Sequence, residues 1–256
     1  MTLTTPDDFT RRWRQPPNFP LAVSFDYTFV PAIDVLDAIR RDPEVRYTIL
    51  GDDDWAVRMD RTVAFRTAPV EEIVTWPFRL VHFNLNRFYD DLLGGFQEEV
   101  MVPWRTHLSA RGFTWQRLAP ILFLSTHGAS STYHNDNSHG LVWQVHGIKT
   151  FHSYRDPDKH LSADAAVIGE TTGEVPPKHE SAERQSVTMC PGDQLWSHAL
   201  TPHWVTTESR LAMSVTLAHG GLCHQGRFSR RERALRAYWD KHPGEAWTHD
   251  LRNARY

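Results

Sequence analysis

Two histidines and one aspartate are the residues in this sequence whose types and spacing could hold a metal ion. His134 and Asp136 form an H-x-D pair, and residues i and i+2 of a strand point to the same face. His203, which lies 67 positions after Asp136, completes the set. Two imidazoles and one carboxylate leave positions open on an octahedral ferrous ion. We therefore predict that His134, Asp136 and His203 bind Fe(II) and form a catalytic centre.

Short strands are the elements that must position these residues. The second half of the sequence forms brief apolar or alternating runs that end at glycines and at a Pro-Gly-Asp turn at 191–193. The predicted strands are 121–125, 132–136, 141–146, 149–154, 187–189, 194–197, 203–207 and 211–217. Many short strands separated by turn residues indicate a sandwich or small barrel, and not a parallel α/β sheet. A sheet that closes on itself can bring the distant ligands together.

The first half of the sequence has mixed α and β character. Residues 1–20 are polar and contain prolines, so we expect a loose arm. The predicted strands of this half are 21–30, 45–50 and 78–83, with a hairpin from 56–59 and 62–65. The predicted helices are 33–41 and 86–100, and a basic helix is predicted after Phe228.

The order of the motifs resembles that of the JmjC-like, cupin-fold Fe(II)- and 2-oxoglutarate-dependent oxygenases. That family has H-x-D, then Q-x-x-G-x-K on the next strands, then Pro-Gly-Asp before a distal histidine. Here these motifs stand at 134–136, 144–149, 191–193 and His203. The resemblance covers about residues 121–218, which is less than half of the chain. It implies a double-stranded β-helix with a metal inside its mouth, and Fe(II) and 2-oxoglutarate as cofactors.

Other histidines compete for a role at this site. His198 lies five positions before His203 and nearer to the turn at 191–193. The Pro-His-Trp-Val context of His203 matches the distal ligand of the family, so we favour His203. Of the histidines around the H-x-D motif, His139 is the best placed for contact with a substrate or cofactor.

The resemblance also implies the residues that surround 2-oxoglutarate. Lys149 lies 13 positions after Asp136, which is the family's spacing for the lysine that pairs with the 5-carboxylate. A carboxylate deep in an apolar barrel requires such a cation. Ser131 occupies the position of a hydroxyl residue, three before the first histidine, that touches 2-oxoglutarate in the family. Thr132 lies beside it.

One position departs from the family's pattern. Gly140 stands where the family commonly has an asparagine near 2-oxoglutarate. Asn137, Ser214 or Thr216 could replace that contact, and the sequence leaves the choice open. The predicted cofactor-binding residues are accordingly Lys149, Ser131, Thr132 and Ser214.

Composition excludes several other classes of function. The chain has 256 residues, of which 40% are hydrophobic and 23% charged, as in globular proteins. Its net charge of −3 argues against a nucleic-acid partner or a polybasic membrane binder. Two cysteines are too few for a disulfide framework or a cysteine zinc site. The sequence has neither a secretion signal nor an apolar span, so we predict a cytoplasmic protein without a membrane partner. It indicates no oligomeric state.

The function predicted from these observations is a hydroxylation of a C–H bond in a small molecule, amino acid or peptide. Two alternatives are a metal-dependent cupin enzyme that does not use 2-oxoglutarate and a catalytically silent cupin-like binding protein. The polar segment 155–185 lies between two predicted strands, and a long loop there is expected to cover the active-site mouth.

The predicted fold class is mainly β with flanking helices, namely a jelly-roll of the cupin or JmjC type with a mixed α/β N-terminal portion. We expect residues 1–118 to form that N-terminal portion and to pack on the barrel. Residues 119–220 are expected to form the catalytic double-stranded β-helix. Residues 221–256 are expected to form a C-terminal helical tail.

Overall fold

Antiparallel strands dominate the second half of the chain. The computed structural model describes residues 2–3, 6–51, 55–174 and 177–245. The strands of the N-terminal part are β1 (Thr2–Leu3), β2 (Phe19–Pro20), β3 (Val23–Ser24), β4 (Arg46–Ile49), β5 (Phe78–His82) and β6 (Phe113–Thr114). The later strands are β7 (Arg117–Thr126), β8 (Ser130–His134), β9 (His139–His146), β10 (Lys149–Tyr154), β11 (Arg184–Met189), β12 (Gln194–Ser197), β13 (His203–Thr207), β14 (Leu211–Gly220), β15 (Cys223–His224) and β16 (Arg227–Phe228).

Helices flank these strands. The α-helices are α1 (Pro6–Arg12), α2 (Ala32–Ile39), α3 (Trp55–Thr67), α4 (Val70–Ile73), α5 (Val102–Ser109), α6 (Ala163–Thr172) and α7 (Arg230–Lys241). Short 3₁₀-helices lie at Leu85–Phe88, Pro157–Lys159 and Pro243–Glu245. A π-helix at Gln97–Met101 leads into α5.

Two antiparallel sheets form the jelly-roll. The larger sheet has seven strands in the order β2-β12-β9-β14-β7-β5-β4, and we call it the major sheet. The smaller one, the minor sheet, has the order β11-β10-β13-β8. Non-consecutive strands pair in both sheets, as a double-stranded β-helix requires. The predicted fold class is therefore confirmed.

The two faces of the major sheet differ in character. Along β7 and β14, successive side chains point to opposite faces. Phe123 and Ser214 line a cavity between the sheets, and we call this the inner face. Leu122 and Val215 belong to the main hydrophobic core on the other side, which we call the outer face.

The N-terminal segment covers the outer face, so the prediction of a loose arm at residues 1–20 was wrong. Phe9, Trp13 and Phe19 are fully buried in the core. Phe9 meets Trp196 of β12 edge-on, with ring centroids 4.9 Å apart. Phe19 pairs with Trp196 across the β2–β12 ladder. The burial of these large rings offsets the conformational entropy that the segment loses when it becomes ordered.

Three other predictions of the first half need correction. The predicted hairpin at 56–59 and 62–65 is the single helix α3, because short apolar runs do not distinguish a strand from a helix. The predicted strand 21–30 is reduced to β3. The predicted helix 86–100 is interrupted by turns and contains glycines at 94 and 95, of which Gly95 has a φ of 78°.

The segment 155–185 contains a helix where a loop was predicted. Ser162 caps the N-terminus of α6 by accepting a hydrogen bond from the Ala165 amide at 3.2 Å. Gly173 ends the helix in the left-handed region, with a φ of 75°. α6 packs against α7 through Val167 and Leu235, so the segment is anchored to the C-terminal helix.

Cys223 is buried and Cys190 is exposed, and both are free thiols. Among the described residues, every helix is too short or too polar to cross a membrane. The cytoplasmic location stays a prediction.

Candidate active site

His134 and His203 face each other across the β8–β13 pair. They occupy opposite positions in the ladder, and their ring centroids are 4.3 Å apart. Asp136 Oδ1 lies 3.8 Å from His134 Nε2, and Asp136 Oδ2 lies 3.6 Å from His203 Nε2. The ligand atoms of the three residues lie within 4.8 Å of one another. The structure thus brings the three sequence-predicted metal ligands to one point.

Hydrogen bonds from Nδ1 fix the orientation of both imidazoles. His134 Nδ1 lies 2.6 Å from the Thr132 carbonyl, and His203 Nδ1 lies 3.0 Å from the Thr201 carbonyl. Because a carbonyl only accepts, each Nδ1 carries the hydrogen and each Nε2 presents its lone pair. Burial, and then the neighbouring His134, lowers the pKa of His203 to about 4. The neutral ring is the form that binds a metal ion.

Asp136 lies just beyond β8, which ends at His134. The predicted strand 132–136 is therefore two residues too long, and strand alternation does not place the carboxylate. Its position depends instead on a backbone hydrogen bond of 2.6 Å from the Leu200 amide to the Asp136 carbonyl. The Asn135 side-chain amide also donates to the Ala166 carbonyl of α6 at 3.1 Å.

Leu200 connects this site to the C-terminal helix. It adopts a left-handed conformation with a φ of 55°, which a non-glycine residue seldom does. Its carbonyl accepts a hydrogen bond from Arg231 of α7. The buried Arg231 guanidinium also donates to the Leu161 carbonyl at 2.6 Å and to Asp158 at 2.7 Å. These bonds hold the backbone that precedes His203.

Lys149 lies at the start of β10, with only 3% of the residue exposed. Its ammonium donates to the Phe123 carbonyl at 3.2 Å and to Ser214 Oγ at 3.0 Å. Burial lowers the pKa of Lys149 to about 7. Among the described residues, no carboxylate lies within ion-pair distance of this ammonium. An anion that entered the cavity would stabilise its charged form.

The predicted hydroxyl residues have different surroundings. Ser131 Oγ accepts a hydrogen bond from the Val205 amide at 2.9 Å. Ser214 is bonded to Lys149. Thr132 is exposed, and its carbonyl orients His134. All three hydroxyl residues line the same cavity as Lys149 and the metal ligands.

The structure explains why residue 140 is a glycine. A Cβ atom at Gly140 would lie 2.8 Å from Thr216 Cγ2, so Thr216 occupies the space of a side chain there. Asn137 Oδ1 accepts a hydrogen bond from Arg117 at 3.4 Å. The sequence left Asn137, Ser214 and Thr216 open as replacements for the family's asparagine. Of these three, Thr216 lies directly beside Gly140.

A cavity of about 600 Å³ joins the metal ligands to Lys149. Four charged residues on its wall were missed by the sequence analysis, namely Arg46, Arg79, Arg117 and Glu170. Burial, and then the charge of Asp136, raises the pKa of Glu170 to about 8, while Arg117 lowers it. The capping serine and terminal glycine of α6 are the signal that would have placed Glu170 on a helix.

The competing histidines lie elsewhere. The His198 ring lies 3.3 Å from Asn18 Oδ1 and 3.1 Å from the Arg12 carbonyl. His139 stacks on Trp196, with ring centroids 5.8 Å apart. Both rings are buried on the outer face, and neither lines the cavity.

Solved structures with this architecture include the ribosomal oxygenase YcfD from Escherichia coli, in complex with cobalt and 2-oxoglutarate and in complex with cobalt and succinic acid. Each has a TM-score of 0.56 and 15% sequence identity over 95% of this chain and 57% of that chain. Another crystal structure of YcfD has a TM-score of 0.55. This chain therefore spans 57% of the length of these proteins.

No protein-family model matches the sequence, and no curated protein matches it significantly. At 15% identity the likeness to the solved structures shows the fold. The chain thus has the fold of a JmjC-like oxygenase, with a candidate metal centre of two histidines and one aspartate inside it.

Proposed function

We propose that the chain is an Fe(II)- and 2-oxoglutarate-dependent oxygenase that hydroxylates a C–H bond of a small molecule, amino acid or peptide. One observation carries the proposal. A single cavity contains both a cluster of two histidines and one aspartate and a buried lysine whose only described polar contacts are a carbonyl and a hydroxyl. The likeness to YcfD, whose structures contain cobalt with 2-oxoglutarate, agrees with it.

The residues present fit both cofactors. Two neutral imidazoles and a carboxylate form the donor set of non-haem ferrous sites, and His134, Asp136 and His203 would hold the iron. Lys149, supported by Ser214, would pair with the 5-carboxylate of 2-oxoglutarate. When bound together, the cofactors supply an oxidant for C–H bonds and leave succinate and CO₂ as co-products.

The protein's own residues orient the metal ligands and shield the cofactor from water. The Thr132 and Thr201 carbonyls keep the metal-binding nitrogens of both histidines deprotonated. The apolar walls near Lys149, which include Phe123 and Phe151, keep water from the cofactor's anion. Because Asp136 supplies the third ligand, we propose hydroxylation and not halogenation, which requires a halide in the place of the carboxylate.

The two alternatives predict different behaviour. A cupin enzyme that does not use 2-oxoglutarate has no need of a buried ammonium that faces the cavity, and a silent binding protein has no need of three converging ligands. Mixing the chain with Fe(II) and 2-oxoglutarate under anaerobic conditions tests all three. A weak visible charge-transfer band, followed by succinate release in air, is the expected result. Iron binding without the band supports the first alternative, and failure to bind iron supports the second.

We also propose that the segment 155–185 covers the cavity mouth. Glu170 of α6 lines the cavity, and Asn135 ties α6 to the metal-binding motif. Deletion of the centre of this segment should leave the charge-transfer band intact and abolish oxidation of the substrate. Unchanged substrate turnover in the deletion variant would contradict this role.

A further inference from the structure

Leu200 lies in the loop between β12 and β13 that leads to His203. Its amide donates to the Asp136 carbonyl at 2.6 Å. The next residue, Thr201, orients the His203 imidazole, since its carbonyl lies 3.0 Å from His203 Nδ1. The backbone at Leu200 therefore bears on two of the three candidate metal ligands, Asp136 on one side and His203 on the other.

The conformation of Leu200 is one that its own residue type does not favour. Its φ of 55° lies in the left-handed region, where the Cβ atom of an L-residue crowds the following carbonyl oxygen. Such a conformation persists only where the surrounding structure imposes it. The Leu200 side chain is fully buried in a cluster with Val167 of α6 and Leu235 of α7. The two helices therefore hold this residue from the side away from the cavity.

One buried guanidinium joins the backbone of this loop to its surroundings. Arg231 of α7, of which only 4% is exposed, donates to the Leu200 carbonyl. It also donates to the Leu161 carbonyl at 2.6 Å and to Asp158 Oδ1 at 2.7 Å. A guanidinium presents its N–H donors in a fixed planar fork, so one side chain sets the relative positions of all three oxygen atoms.

The preceding residue of α7 provides an internal comparison. Arg230 also approaches Asp158, with 3.5 Å between Nη1 and Oδ2, but 70% of its side chain is exposed. In the described part of the chain, the Arg230 side chain bonds Asp158 and not the loop of Leu200. The two arginines thus carry the same charge at the same turn of the helix. Their comparison separates the contact with Leu200 from the effect of charge.

We propose that Arg231 is a positioning residue of the metal centre, which acts by holding the Leu200 backbone in its left-handed conformation. The loop fixed in this way keeps Asp136 and His203 in place. Arg231 itself supplies no ligand. The inference rests on the proposed function, because it requires that the candidate centre bind a metal ion. Residues that support metal ligands from outside typically contribute 10–100-fold to metal affinity.

Calorimetric titration of the full chain with Mn(II) tests the inference. Arg231→Gln should still bind one ion per chain, but about 10–100 times more weakly than the wild type. Arg230→Gln removes the same charge from the same turn and should keep wild-type affinity. The visible absorption of Co(II) depends on its coordination geometry. The Co(II) spectrum of Arg231→Gln should therefore differ from that of the wild type, and the spectrum of Arg230→Gln should not.

A second variant covers the case in which Arg231→Gln does not fold. Arg231→Lys keeps a positive charge beside Asp158, but an ammonium is a point charge and cannot hold the Leu161 and Leu200 carbonyls in a fixed arrangement. Its Mn(II) affinity should fall as well, toward the lower end of the same range. Thermal melting of each variant sets a titration temperature at which all the proteins are folded, so that lost stability is not mistaken for lost affinity.

Two outcomes would overturn the inference. One is wild-type Mn(II) affinity in a folded Arg231→Gln or Arg231→Lys variant. The other is an equal loss of affinity in Arg230→Gln, which would assign the effect to charge alone. Failure of the wild type to bind Mn(II) would contradict the proposed function instead. A wild type that binds the ion, together with an unaffected Arg231→Gln variant, contradicts only the role of Arg231.

Discussion

The cavity between the two sheets and the outer face of the major sheet both carry histidines, and the two regions use them in different ways. On the cavity side, His134 and His203 converge on Asp136. On the outer face, His139, His198 and His219 lie fully buried, and Trp196 contacts the rings of His139 and His219. Each metal-side histidine has an outer-face histidine five positions away in the sequence. A nearby carboxylate and open volume, and not the presence of histidine, therefore distinguish a candidate metal site from a core.

Two of the outer-face histidines accept hydrogen bonds within the core. His219 Nε2 accepts a hydrogen bond from Trp104 Nε1 at 2.6 Å, and His139 Nδ1 accepts one from the Ala199 amide at 3.3 Å. Burial lowers the pKa of His198 to about 4 and that of His219 to about 3, and it lowers the pKa of His139 well below the ordinary value. All three rings are therefore neutral at neutral pH.

The largest contrast is expected in metal binding. His134→Ala should abolish stoichiometric Fe(II) or Mn(II) binding, because it removes one of three ligands. His139→Ala should keep one ion per chain and lower the melting temperature, because it leaves a void in the core. Calorimetric titration with Mn(II) measures both. One bound ion per chain in the double variant His134→Ala/Asp136→Ala would contradict the assignment of the site.

The next largest effect concerns 2-oxoglutarate. Lys149→Met should weaken its binding at least about a hundredfold, since the loss of one partner of a buried ion pair costs about 3–5 kcal/mol. Titration of the anaerobic Fe(II) complex, followed by its charge-transfer band, gives the affinity. Wild-type affinity in the variant would mean that Lys149 has another role.

Low pH should destabilise the protein because His198 is buried on the outer face. The pKa of His198 is about 4 in the folded state, below its ordinary 6.5, so the unfolded chain takes up a proton first as the pH falls. Stability from this residue is complete above pH 6.5 and is lost as the pH falls toward 4. The loss is on the order of 3 kcal/mol. Urea denaturation at a series of pH values should show a shallower decline for His198→Gln, and an identical decline would remove His198 from this role.

The smallest effect comes from two adjacent residues of β14 that point to opposite faces. Val215→Ala should lower the free energy of unfolding by about 2 kcal/mol and leave 2-oxoglutarate affinity unchanged. Ser214→Ala should lower that affinity about tenfold, by loss of a hydrogen bond to a charged group, with little change in stability. Urea denaturation and cofactor titration on both variants give the comparison. If both variants changed only the free energy of unfolding, or both changed only the affinity for 2-oxoglutarate, the two faces of β14 would not have separate roles.

The metal ligands and Lys149 could be predicted from the sequence because they belong to short motifs with characteristic spacings. The H-x-D pair holds its two ligands two positions apart, Lys149 follows Asp136 by 13 positions, and the turn at 191–193 precedes His203. Arg46 and Arg79 were missed because nothing in the sequence states that β4 pairs with β5 and that β5 pairs with β7. Glu170 was missed because its helix was interpreted as a loop.

Packing between distant segments accounts for the remaining errors in the fold. Phe9 packs edge-on against Trp196 of β12, and the Trp13 carbonyl accepts a hydrogen bond from the same tryptophan, more than 180 positions away. A polar stretch gives no sign of these contacts. The division into 1–118, 119–220 and 221–256 stays a prediction. Because a single hydrophobic core includes residues from both of the first two portions, we expect residues 119–220 not to fold alone.

The hydrogen bond from Asn135 to the Ala166 carbonyl has a consequence for the timing of substrate entry. Asn135 lies between two metal ligands, so a bound ion that restrains this loop also restrains α6. By linkage, the free energy by which the bound ion stabilises the closed segment equals the free energy by which closure strengthens the binding of the ion. Amide hydrogens of α6 should therefore exchange more slowly with deuterium in the metal-loaded protein than in the metal-free one. Access to the cavity would then depend on whether the ion is already in place.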